Sequence, residues 1–154
     1  LKGLKKLYKK DKAISKRYLL NPYSLVFIIA EDDAFGYYLS IILKLLIAAL
    51  GVYYLLFACN VWEYACYFGA FTYAFCGFIT GWIFWEQADV SSFIPWLFWA
   101  ILLFVQKGKW QYIFPISLFT FLLIIVWFPS VAAYGFYAAS LFSLILFYEI
   151  EFLL

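Results

Sequence analysis

Histidine and methionine are absent from this 154-residue chain, and charged residues make up only 13% of it. Without histidine, haem ligation by His, histidine zinc sites and Ser-His-Asp triads are excluded within these residues. The three cysteines, Cys59, Cys66 and Cys76, stand in or beside apolar runs. An odd number so placed reads as small buried hydrophobes rather than as disulfides. The chain begins with Leu and stops inside the apolar run Phe152-Leu153-Leu154. Together with the missing Met, this predicts a piece of a longer protein. The basic start is followed by neither a standard apolar signal region nor an A-x-A site, so no cleavable signal peptide is expected.

What is abundant is apolar. Hydrophobic residues account for 68% of the chain, with a mean hydropathy of +0.94. Globular chains hold roughly 45–50%, so most side chains here must face something other than water. The seven Trp gather near the ends of apolar runs, where aromatic belts sit. The expected fold is all-α: a polytopic transmembrane bundle of about five spanning helices, preceded by a basic amphipathic segment. The implied partner is membrane lipid, and no nucleic acid, since the polar chemistry that reads bases is missing.

Eight of the eleven basic residues lie in the first 17 positions. In residues 1–20, Leu1, Leu4 and Leu7 recur at helical spacing among Lys5, Lys6, Lys9, Lys10, Lys16 and Arg17. Such a segment suits an anionic lipid surface or the phosphates of a lipid-linked ligand; a solvated basic loop is the plainer alternative. Asn21-Pro22-Tyr23 then breaks any helix. The rest, 21–154, reads as the transmembrane domain, with spans near 34–58, 64–85, 93–106, 111–128 and 131–152.

Span 64–85 is uncharged between Glu63 and Glu86 and would reach roughly 33 Å as a helix. Its Gly69, Gly77 and Gly81 share a four-residue ladder, and such a face lets helices pack closely in a membrane. It is therefore expected as the packed, central helix. Lys44 falls within span 34–58, where a lysine costs on the order of 3 kcal/mol. It should face protein, water or an acidic partner, or else snorkel to an interface. Residues 86–92 read as a polar loop, with the next helix entered through Pro95. If the basic turn 107–109 is cytoplasmic, turn 59–63 lies on that side too, and the acidic stretches 31–33 and 86–92 lie outside.

The segments LLIAALGVYYLL (45–56), FGAFTYAFCGFITG (68–81), FIPWLFWAILLFVQKGKW (93–110) and PSVAAYGFYAASLF (129–142) follow Asn21-Pro22 in order. Taken in that order, residues 21–150 resemble the bacterial YfhO membrane-protein family and related C-class multispanning glycosyltransferases. The Tyr-Ala-x-x-Gly element is present as Tyr73, Ala74 and Gly77; an arginine frequent after the first of these helices is replaced by Asn60 and Glu63.

The resemblance implies an integral protein of the bacterial cytoplasmic membrane that transfers a sugar from a polyprenyl-phosphate donor on the external face. It also implies that the principal catalytic acid stands in an upstream external loop. Within this chain, Asp32, Asp33, Glu86 and Asp89 are the carboxylates that could take the acceptor's proton. They would border a lipid-accessible groove; metal dependence is left open, and no other cofactor is expected. A transporter or channel segment lined by Lys44, or a noncatalytic subunit of a membrane complex, are the alternatives.

Overall fold

In the computed structural model, residues 21–26, 30, 33–126 and 128–153 are described. A 3-10 turn at Pro22–Leu25 leads to six α-helices: α1 (Asp33–Ala58), α2 (Glu63–Ala74), α3 (Gly77–Gly81), α4 (Glu86–Lys107), α5 (Ile113–Ile125) and α6 (Pro129–Leu153). A second 3-10 turn, Trp110–Tyr112, precedes α5. No strand occurs among the described residues. The amphipathic segment expected at 1–20 lies outside them.

Among the described residues, three of the five expected spans form helices long and apolar enough to cross a membrane: Ala34–Ala58, Glu86–Lys107 and Pro129–Tyr148. The run 64–85 does not form one helix. It breaks at Phe75 and Cys76, where Cys76 turns extended (φ −63°, ψ 153°), and again after Gly81. Glycine lowers helix stability by about 1 kcal/mol against alanine, and here Gly77 and Gly81 bound the short α3 among β-branched and aromatic neighbours. Helix α5, at 13 residues, reaches about 20 Å, short of the ~30 Å hydrocarbon core.

The central helix is α4, which packs on α1, α3, α5 and α6. Residues 86–92, expected as a loop, are its first two turns, and Ala88 to Ser92 are all buried there. Pro95 therefore sits inside the helix instead of opening it. A proline has no N–H for the carbonyl four residues back, which leaves the Ser91 carbonyl without its helical donor. The Tyr73 hydroxyl of α2 donates to that carbonyl at 2.9 Å. A buried acceptor is thus satisfied from a neighbouring helix, and the proline is tolerated.

Helices α1 and α4 run parallel. Lys44 meets Asp89, Trp96 Nε1 donates to the Ile47 carbonyl at 2.8 Å, and Gln106 Nε2 donates to the Ala58 carbonyl at 3.1 Å. Both turns, 59–62 and 107–109, therefore stand at one end of the bundle, and the N-terminus of α4 at the other. The chain passes back between them through the broken stretch α2–α3. Gly51 makes the α1–α4 approach possible: a Cβ there would lie 2.8 Å from the Trp96 ring and 3.1 Å from Pro95 Cβ. Val90, Phe93 and Leu97 of α4 join Tyr23, Leu123, Val126, Ala132 and Ala139 in one buried cluster, against which Leu43 and Ile47 of α1 also pack.

Candidate functional site

The site grows from a lysine that α1 cannot leave in lipid. Ser40, Lys44 and Ala48 recur every four residues and are buried, with Gly51, on one face of α1. Helical side chains lean toward their own N-terminus, so Lys44 extends along α1 toward the level at which α4 begins. Only 6% of it is exposed.

Its Nζ lies 2.5 Å from Asp89 Oδ1 and donates to the Ile83 carbonyl at 2.9 Å. The Tyr23 ring centroid stands 5.7 Å away, within reach of a cation–π contact. Ile83 belongs to the unwound stretch between α3 and α4, so Lys44 also satisfies backbone that the broken helix leaves open. One ammonium thus serves a carboxylate and a freed carbonyl.

Asp89 is 4% exposed and both of its oxygens are engaged: Oδ1 by Lys44, Oδ2 by Asn21 Nδ2 at 2.9 Å. Asn21 Oδ1 in turn accepts from the Tyr23 backbone N–H at 3.0 Å, which fixes the turn that Pro22 begins. The Tyr23 hydroxyl pairs with Ser92 Oγ, and Ser92 Oγ donates to the Asp89 carbonyl at 2.7 Å. With the serine proton committed, the tyrosine is the donor of that pair. Burial pushes the Tyr23 hydroxyl well above the usual phenol range, and Asp89 adds to the effect against the Ser92 hydrogen bond. Tyr23 keeps its proton. Asn21, Tyr23, Lys44, Asp89 and Ser92 form one connected polar network at the N-terminal end of α4, in which Asp89 Oδ1 is held by the Lys44 charge alone.

Of the carboxylates singled out by the sequence, Asp89 is therefore enclosed and Glu86, one turn earlier, is half-buried at the rim of the network. Asp33 is the first residue of α1. Asp32 lies outside the described residues, as do Lys5, Lys6, Lys9, Lys10, Lys16 and Arg17. Residues 86–92 are not a loop but the opening of α4, buried from Ala88 onward.

Of the packing glycines, Gly69 faces Leu56, whose Cδ1 stands 2.5 Å from where a Cβ would sit; nothing lies within 4 Å of such an atom at Gly77 or Gly81. Close backbone approach is at Gly51 instead. Among the described residues no group of three or more His, Cys, Asp or Glu could hold a metal ion. No protein family matches the chain, and no curated protein or solved structure matches it either.

Asn21 and Tyr23 stand out in the sequence only as a helix break and Tyr73 only as part of the Tyr-Ala-x-x-Gly element; nothing local marks them, or Ser92, as partners of this network or of the Ser91 carbonyl. The one signal was Lys44, an ionisable residue in an apolar run that needed a partner, with Asp89 among the few acids to choose from.

Proposed function

We propose that the chain is the helical membrane portion of a bacterial inner-membrane glycosyltransferase that takes its sugar from a polyprenyl-linked donor. Support comes from the ordered segments that resemble this class and, above all, from the polar network at one end of an otherwise apolar bundle. In this reading the Lys44–Asp89–Asn21 network is a positioning element. Asp89 is buried against Lys44, out of reach of an acceptor hydroxyl. Glu86, half-buried at its rim, is open to an acceptor hydroxyl, whose proton it would remove as the oxygen attacks the anomeric carbon.

The test is sugar transfer by the purified full-length protein from a polyprenyl-linked donor. Removing a general base typically costs 10²–10⁴-fold, so Glu86→Gln should lower kcat by about a hundredfold or more while helix content is kept. Wild-type turnover in Glu86→Gln, Asp32→Asn and Asp33→Asn alike would move the base outside this stretch. No transfer by the wild type would remove the glycosyltransferase reading.

The buried ion pair favours a second reading, a transport segment, because ionisable residues between membrane helices commonly mark ion or proton paths. Proton or cation flux into liposomes that Lys44→Met abolishes would select it over the first.

A further inference from the structure

At the end of the bundle opposite the Lys44–Asp89 pair, two turns distant in sequence are tied together by the Gln106–Ala58 hydrogen bond. Helix α4 stops there at Gly108, which takes the left-handed conformation (φ 59°) and accommodates it without a Cβ. Lys107 and Lys109 flank it, both exposed. At the same end stand Trp110, 83% exposed, Trp62 of the α1–α2 turn and Tyr64 of the first turn of α2, 73% and 69% exposed, the last two with rings 4.9 Å apart. Lys107 Nζ lies 5.7 Å from the Tyr112 ring centroid. The acid of these turns, Glu63, accepts from the Tyr67 hydroxyl at 3.1 Å. The third described lysine, Lys44, is spent on Asp89, so the exposed positive charge of the described residues is concentrated at this end.

We propose that this end is a docking surface for anionic phospholipid headgroups, with Lys107 and Lys109 on the phosphates and Trp62, Tyr64 and Trp110 at the headgroup level. The charge is complementary to an anionic leaflet, and exposed tryptophans beside lysines match the wet-to-apolar boundary. The inference rests on membrane insertion and is independent of any sugar chemistry.

The experiment places the whole chain in lipid discs of mixed phosphatidylcholine and phosphatidylglycerol and measures the headgroup ratio of the lipids that remain bound after mild delipidation. A lysine near an anionic surface contributes on the order of 1 kcal/mol, about fivefold. Wild-type protein should therefore retain phosphatidylglycerol severalfold over phosphatidylcholine, less so at high salt. The double variant Lys107→Gln/Lys109→Gln should lose that preference, and Lys107→Arg/Lys109→Arg should keep it. No enrichment in the wild type, or the same enrichment in the Gln variant, overturns the proposal.

Discussion

Removing both members of the Lys44–Asp89 pair should cost far less than the sum of removing each alone. At 2.5 Å and an effective dielectric of about 20, two unit charges attract by roughly 7 kcal/mol. Withdrawing each ion from water costs several kcal/mol, so the intact pair comes close to breaking even. A lone survivor does not. Asp89→Leu leaves the Lys44 ammonium enclosed with a single carbonyl, and Lys44→Met leaves the carboxylate with a single amide donor. Each should destabilise by about 3–5 kcal/mol.

The double variant Lys44→Met/Asp89→Leu carries no buried charge. Its cost is the loss of partners for Asn21 Nδ2 and the Ile83 carbonyl, at about 1–3 kcal/mol per orphaned group. Unfolding in mixed micelles titrated with sodium dodecyl sulfate, followed by helix circular dichroism, gives all four corners of the cycle. At the middle of these ranges the expected coupling is about 4 kcal/mol. A double variant whose loss equals the sum of the singles would refute the reasoning, because the two groups would then not be acting on each other.

Gly51→Ala should destabilise by about 1–3 kcal/mol, since the new methyl meets the Trp96 ring and Pro95, neither a flexible chain end. Gly77→Ala and Gly81→Ala, which meet nothing, should be neutral or stabilising by up to about 1 kcal/mol; the same titration reads the contrast. Tyr73→Phe should cost about 1–3 kcal/mol by orphaning the Ser91 carbonyl, and Tyr73→Phe combined with Pro95→Ala should cost less than Tyr73→Phe alone, because the helical donor returns. An impermeant maleimide added to sealed vesicles should reach exposed Cys59 from the same side as a probe at Lys109→Cys, and from the side opposite to Glu86→Cys. Burial, with a smaller effect from Cys66, pushes the Cys59 thiol up. Less thiolate is then present at neutral pH, and labelling should accelerate as pH rises through the thiol's range.

Much of the helical framework was legible because hydrophobicity and length act locally. The run from Ala34 to Ala58 is apolar enough to be read as a helix by inspection, and α6 follows from its own composition. The misreadings at 64–85 and 86–92 share one physical cause. Glycine in an apolar run signals either a close helix contact or a break, and the two are indistinguishable until the partner is known. At Gly69 a neighbouring side chain is present; at Gly77 and Gly81 the absent neighbour and the interrupted helix go together. Polarity at 86–92 was likewise ambiguous. Glu86, Asp89, Ser91 and Ser92 look like a solvated loop to any local rule, yet three of them are buried because a lysine, a tyrosine and two helix carbonyls take up their polar atoms.

That ambiguity also explains why Lys44 could be recognised as requiring a partner but not assigned one. Snorkelling and pairing both begin with the side chain running toward an interface, and a lysine on α1 leans toward the helix N-terminus whichever applies. What decides between them is whether another chain segment covers the path. Because α4 is parallel to α1 and begins near the level the Lys44 side chain reaches, the lysine meets Asp89 before it meets water. Had α4 been antiparallel, its C-terminal Gln106 and Lys107 would have stood there instead, and two like charges would have faced each other. The parallel arrangement requires a return segment between α1 and α4, which is the broken α2–α3 stretch, and its unwound end at Ile83 supplies the second acceptor that Lys44 uses. The interruption that defeated the reading of a single central helix is thus part of what makes a buried lysine tolerable.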